Sequence, residues 1–583
     1  MFVRAKRRFK DGKEHRYWSV VENCRNRDGR VVQRQLLYLG EINDSQRAAW
    51  CRSIEVLKGD SGPAPMALFA DDREAPELDC EVVQIDVSAL SLHRPRQWGA
   101  CWLSLTLWDR LDLDRFWGPR LPASRQGTRW LDVLKIQVCY QLIDPGSEWR
   151  LHRHWYEHSA MRDLLDSPMG VIADDTLYRC LDKLLVHKQT WFSYLKERWA
   201  TLFDARFDVL LYDLTSTYFE SDPVFSGKRR FGYSRDRRGD CVQVVIALIV
   251  TPQGFPLAYE VMPGNTSDNT TLADFLHKIE VQYGRSDRVW IMDRGIPTEA
   301  TLAAMRASEP SVHYLVGTPK GRLSRMEKAF VGQPWRAVRD AVDVKLVAQD
   351  GELYILAQSR ARVLKERGMR RRRLKKLWRR LHELQGQRLS RDALLLKLGA
   401  AKTEAGRAYR LVDIRLPKVG EAVSPQTFTF TLRRDRLRQA RRREGRYLLR
   451  SNLTGEDPAT LWRYYMRLSE IEQAFKELKH DLAIRPVFHQ REDRIEAHIF
   501  VAFIAYCLHV TLKNLAKPCA PGLTPRAILD KFATIEMVDV HLPTTDGRHL
   551  TLPRYTQPTA DHQLLLDQLK LRLSEQPLPR ISA

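Results

Sequence analysis

The feature that most constrains the fold is a series of short apolar segments between residues 205 and 317: FDVLLYD, VQVVIALIV, LAYEVMPG, RVWIMD and HYLVG. Each reads as a buried strand. The second and third face each other across TPQGFP, where Pro252 and Gly254 supply a hairpin turn. TLADFLHKIEVQYG then has helical spacing and leads into RVWIMD. Hairpin-linked strands followed by α/β crossovers predict a mixed sheet with a helix on its face.

Two of these strands run into an acid, Asp213 in the first and Asp293 in the fourth. Ionised carboxylates at strand ends are poorly solvated and accept hydrogen bonds only, so they call for cations. A third acid, Glu472, lies in YYMRLSEIEQAFKELKHDL, which reads as one amphipathic helix. Leu468, Ile471, Phe475, Leu478 and Leu482 form its apolar stripe. Tyr465, Glu472 and Lys479 recur every seven residues along the margin of that stripe, while Glu470 and Glu477 are expected to face solvent. Lys479 is then placed to grip a phosphate oxygen. Three converging carboxylates would hold two divalent ions about 3.5–4 Å apart, the arrangement that drives in-line phosphoryl displacement. One such acid alone would read as a helix cap.

The charge balance points to the substrate. A formal charge of +23 favours a polyanionic partner. The longest apolar run, Ile499 to Leu508, is too short to span a bilayer, and MFVRAKRRFK lacks the apolar centre of a signal peptide. Nine scattered cysteines without a CxxC pair argue against a zinc ribbon or disulfide framework, and for a cytoplasmic protein.

The expected organisation is multidomain α+β. Residues 1–57 form a small basic β-hairpin module around NRDG, and 58–84 a Pro-bearing acidic linker. Residues 85–204 are helical and suit DNA binding; Trp98, Trp102, Trp108 and Trp117 have the spacing of core residues rather than base-stacking ones. Asp174 to Thr176 marks a helix start within this region. A catalytic core is divided between 205–317 and 446–515, with a basic insertion at 318–445 and a C-terminal tail at 516–583. Within the insertion, Arg360 to Arg380 holds twelve Lys or Arg against one acid, Glu366, and a second basic cluster covers 433–446. Such runs are often solvated faces. Lodged inside a catalytic core they suggest phosphate contacts, Arg370, Arg371, Arg372, Arg373, Arg441 and Arg442 being the candidates.

Together, YDLTSTYFE, FGYSRDRRGDCVQVVIALIVTPQGFPLAYEVMPGNTSDNTTL, WIMDRG and the Glu472 helix resemble DDE transposases of bacterial insertion sequences, most closely the insertion-sequence-four superfamily. The resemblance covers roughly 205–320 and 445–510. It implies a ribonuclease H-like mixed α/β core with an insertion before the Glu. It also implies that Asp213, Asp293 and Glu472 are the metal-binding catalytic triad, and that Tyr465, Glu472 and Lys479 fit the family's Tyr-Arg-Glu-Lys signature. The Arg position holds Leu468, with Arg467 one residue away.

The implied activity is cleavage at terminal inverted repeats and strand transfer to target DNA. It would use two Mg²⁺ or Mn²⁺ ions, double-stranded DNA and a homodimeric synaptic complex, in a nucleoid-associated cytoplasmic protein. The rival readings are a metal-dependent nuclease on the same core and a domesticated DNA-binding protein without chemistry. A basic scaffold for RNA is more distant, since no RNA-binding signature is present. Asn265 and Asp268 read as loop-bracing residues, Thr215, Ser216 and Thr217 as turn formers, and His489 and His498 as supporting groups without a third metal-ligand partner.

Overall fold

A computed structural model describes the chain except residues 11–12, 26–30, 44–45, 48–49, 52–53, 55–84, 168–171, 221–226, 268–271, 285–287, 294, 310, 319, 340, 546 and 583. The expected 58–84 linker, the NRDG turn and Asp268 lie outside the described residues. The chain divides into two compact units. Residues 1–7, 16–286 and 469–583 form the first, and 8–15 with 287–468 the second.

The N-terminal strands β1 (Phe2–Lys10), β2 (Lys13–Arg25) and β3 (Val31–Gly40) form a sheet in that order. A register shift between Val20 and Val21 lets these two neighbours both be buried, although strand alternation would expose one. β4 (Ser91–Gln97) follows, a strand where the sequence suggested only helices. The helices α1 (Gly99–Arg110), α2 (Trp130–Ile143), α3 (Asp174–Leu181) and α4 (Lys188–Phe203) come next. Trp98, Trp102, Trp108 and Trp117 are all buried here, as core residues.

β5 (Val209–Tyr218), β6 (Gln243–Val250) and β7 (Pro256–Pro263) pair antiparallel, and Gly254 takes φ +91° in the β6–β7 turn. Two glycines of the motif-bearing segment have a steric reason. A Cβ at Gly232 would meet the Gly264 carbonyl oxygen at 2.0 Å, and one at Gly264 would meet the Gln243 carbonyl oxygen at 2.0 Å. The arm before β6 therefore lies directly on the end of β7, and the Gln243 side chain seals it by donating to the carbonyls of Tyr233 (3.2 Å) and Gly264 (2.8 Å). α5 (Leu272–Tyr283) closes this part of the first unit.

The second unit carries β8 (Val289–Met292), α6 (Glu299–Ala307), β9 (His313–Gly317), α7 (Lys320–Val331), β10 (Arg336–Arg339), β11 (Val342–Gln349) and β12 (Glu352–Ser359). Asp350 and Gly351, both at positive φ, make the tight β11–β12 turn. The insertion follows as α8 (Arg360–Gln385), α9 (Arg391–Ala405), β13 (Val412–Arg415), β14 (Thr429–Leu432) and α10 (Arg434–Arg443). Only the C-terminal half of α8 contributes to a core, through Leu377, Leu381 and Leu384 against Leu394, Leu398 and Phe428. β15 (Arg446–Ser451) then enters a mixed sheet ordered β10-β11-β12-β15-β9-β8, in which β8 and β9 are parallel. α11 (Pro458–Met466) completes the unit.

The single helix expected around Glu472 is interrupted. α11 ends at Met466, α12 runs Leu468–Lys476, and Glu477–Asp481 form a π turn. α13 (Glu492–Cys519) follows, 28 residues long and buried on every side from Ala497 to Leu512. By length and composition it could cross a membrane, contrary to the sequence reading, but 94% of its most apolar stretch is buried within the protein. It is the central core helix of the first unit. The segment expected to be a tail is folded as well: α14 (Pro525–Phe532), β16 (Glu536–Pro543), β17 (His549–Tyr555), α15 (Ala560–Leu569) and β18 (Arg580–Ser582). Its strands form a sheet ordered β18-β17-β16-β4.

Candidate active site

Asp213 does not terminate its strand. β5 continues through Thr215, Ser216 and Thr217, which are buried in the strand rather than set in a turn. Their hydroxyls make these polar residues tolerable inside. Thr217 donates to the Ile484 carbonyl at 3.3 Å, and Ser216 accepts from the Arg235 N–H at 3.4 Å. Asp213 lies opposite Leu248 on β6, half-buried, and its Oδ1 accepts the Leu214 N–H at 2.8 Å.

Glu472 is exposed on α12, at the margin of the stripe of Leu468, Ile471, Phe475, Leu478 and Leu482, which is buried as expected. The far side of this helix corrects the sequence reading. Glu477 is not in solvent but 3% exposed. Gln473 donates to its carboxylate at 2.9 Å, Lys513 lies 3.4 Å away and the His509 ring 3.6 Å away. Lys513 also sits 3.6 Å from Glu470, and His509 lies 3.6 Å from Asp481, which holds the Asp481 carboxyl below its ordinary range. Lys513 and His509 both come from α13. The π turn is thereby clamped to the core helix while Glu472 stays outward.

Lys479 is also committed. Its ammonium donates to Asp236 at 2.9 Å, and Arg485 pairs with the same carboxylate oxygen. Burial alone would push the Asp236 carboxyl up, but the hydrogen bonds from Arg485 and Lys479 outweigh it and hold it below the ordinary value of 3.8. Burial pushes the Lys479 ammonium down in spite of Asp236. Asp236 belongs to the FGYSRDRRGD loop, whose Arg237 has φ +62° and whose Tyr233 is 84% exposed. The Val487 N–H donates to the Tyr218 carbonyl at 3.1 Å. Four links thus join the strand and loop around Asp213 to the segment following Glu472: Thr217–Ile484, Tyr218–Val487, Asp236–Lys479 and Asp236–Arg485.

Asp293 belongs to the second unit, one residue beyond β8, and is exposed. Its carbonyl accepts the Ile296 N–H at 3.4 Å. The helix that follows is capped by Thr298, whose hydroxyl accepts from the Thr301 N–H. Glu299 on that helix receives Arg450 at 2.7 Å, and Arg450 also pairs with buried Glu352, which Arg306 reaches at 2.5 Å. The helix that follows Asp293 is fixed by this network.

Tyr465, also in the second unit, is half-buried among aromatic rings, 6.0 Å from both Tyr447 and Trp462. With the helix broken after Met466, Tyr465 does not share one continuous helical face with Glu472 and Lys479. Arg467 occupies the break and is exposed. Among the basic candidates, Arg370 is taken up by buried Glu444 at 2.6 Å, whereas Arg371, Arg372, Arg373, Arg441 and Arg442 lie on exposed positions. Asn265 is exposed in the turn after β7.

A family model described as "Transposase DDE domain" matches residues 204–508, more than half of the chain. The chain belongs to the DDE transposases. A second model, "IS1634 family transposase, N-terminal domain", matches residues 2–59, so the N-terminal β module is a transposase module in its own right. The transposase acts in DNA transposition by cleaving DNA, binds DNA and depends on divalent metal, as its family does. No curated protein matches the chain. A cryo-EM structure of a piggyBac transposase synaptic complex with hairpin DNA is similar at TM-score 0.35 and 7% identity, over 74% of this chain and 75% of that one. That likeness is too weak to define the fold.

Proposed function

We propose that the transposase cleaves at terminal inverted repeats and joins the freed 3′-hydroxyl to target DNA, with Asp213, Asp293 and Glu472 as its catalytic acids on a ribonuclease H-like core. The observation that carries this reading is the contrast around Glu472. Lys513 of α13 lies 3.6 Å from Glu470 and 3.4 Å from Glu477, and Glu472 alone of the three acids is exposed. The donor set is entirely carboxylate oxygen, which suits hard divalent cations, and two Mg²⁺ or Mn²⁺ ions fit it. When bound, such ions activate the attacking water or 3′-hydroxyl and stabilise the leaving oxygen.

The remaining work belongs to the chain. Asp213 is held by a strand whose buried hydroxyls fix its backbone, and Glu472 by a helix clamped from behind. Exposed Arg371, Arg372, Arg373, Arg441 and Arg442 bind the phosphate backbone without reading sequence. Arg370 supports that surface through Glu444; Lys479 reaches a phosphate only by exchanging its Asp236 partner. Two ends cut in one complex call for a homodimer, working on the nucleoid in the cytoplasm.

The test is cleavage of a labelled repeat end with magnesium, comparing wild type with Asp293→Asn. Loss should exceed the roughly 10–100-fold typical of removing a group behind the ligands. Equal rates would refute the assignment. Strand-transfer products separate a transposase from a nuclease that only hydrolyses.

A further inference from the structure

Glu148, His489 and His498 come from distant parts of the sequence and meet inside the first unit. Glu148 opens a short helical turn, Glu148–Arg150, that is capped by Ser147. His489 precedes α13, and His498 lies near its start. All three are at most 7% exposed. One oxygen of Glu148 lies 2.9 Å from His489 Nε2 and 3.1 Å from His498 Nδ1, and the ligand atoms all fall within 4.8 Å of one another. His498 Nε2 is buried without a hydrogen-bond partner.

The surrounding charges leave this carboxylate to the imidazoles. Arg150 is spent on Asp144 at 2.7 Å, and Arg494 on Asp182 at 2.8 Å. Arg494 stacks over Tyr178, whose ring meets His489 edge-on at 5.9 Å. The spacing of the three ligand atoms suits a divalent cation. Ligand atoms on a tetrahedron with bonds of about 2.0–2.1 Å stand roughly 3.3 Å apart, a few tenths from the two Glu148–histidine separations.

We propose that Glu148, His489 and His498 form a zinc site, separate from the catalytic acids, that ties the start of α13 to the upstream helical region. Two imidazoles and one carboxylate select a borderline cation such as zinc over magnesium, which prefers all-oxygen ligands. Three protein ligands leave the fourth position to water, and all three are nearly fully buried. The proposal does not depend on the reading of Asp213, Asp293 and Glu472.

The test is the metal content of the untagged, full-length protein after dialysis in metal-free buffer. Wild type and Asp213→Asn should each retain about one zinc per chain, and Glu148→Gln and His498→Asn should lose it. Should those variants fail to fold, the zinc-depleted wild type decides. It should bind cobalt with the visible absorption of a four-coordinate site, displaced by zinc but not by magnesium. A wild type without zinc and without a cobalt spectrum overturns the proposal. So does zinc retained in both variants, which leaves Glu148 a hydrogen-bond acceptor shared by two histidines.

Discussion

Two charged helical regions of this chain do opposite things. In the segment from Glu470 to Arg485, charges turn inward and find assigned partners: Glu477 with Lys513, and Lys479 and Arg485 with Asp236. In α8 and α10, most arginines turn outward, and the apolar contacts of α8 are confined to its C-terminal half. The first region positions an acid; the second supplies a positive surface. Buried pairs act through geometry, whereas exposed ones act through long-range, salt-sensitive attraction.

The largest effect should come from Asp236→Ala. It leaves Lys479 and Arg485 without their shared partner, and breaking such a buried pair costs about 3–5 kcal/mol. Denaturant unfolding measures the loss, and a change under about 1 kcal/mol would place the ion pair among weak surface ones. Arg370→Ala should cost less but in the same sense, because it leaves buried Glu444 only the longer 3.5 Å contact to Arg367. Arg371→Ala, Arg372→Ala and Arg373→Ala combined should leave unfolding unchanged. They should instead lower the salt dependence of DNA binding by about 2–3 in log–log slope, if all three meet phosphates. An unchanged slope with reduced stability would erase the contrast between the two regions.

The smallest effect is a pH dependence. The folded Asp236 carboxyl lies below its ordinary 3.8, so its stabilisation is complete above that value and lost as pH falls through the lower, folded one. Wild type should therefore weaken on acidification below about pH 4 more steeply than Asp236→Asn. Parallel curves would mean that the pair contributes nothing.

Much of this was legible in the sequence because it depends on local pattern. Apolar runs placed β5 to β9, and the stripe from Leu468 to Leu482 identified the buried face of the Glu472 helix. Distant partners hid the rest. Nothing near Glu477 announces that Lys513 and His509 will bury it, since both lie about thirty residues on, in α13. β5 runs past Asp213 because buried hydroxyls find acceptors as far away as Ile484. The break after Met466 has no proline or glycine to mark it. β4 reads as part of a helical region until β16 arrives to pair with it. Glu148, separated by more than 300 residues from the two histidines, gives them the third partner that their own spacing lacked.

Where a bound metal lies can be read chemically. Ferrous iron with ascorbate in place of magnesium generates radicals that cut the backbone beside the ion, and mass spectrometry maps the cuts. Cuts around Asp213, Asp293 and Glu472 together, suppressed by excess magnesium and absent in Glu472→Gln, are the expected result. Cuts that leave any one of these three positions untouched in the wild type would contradict the shared carboxylate site.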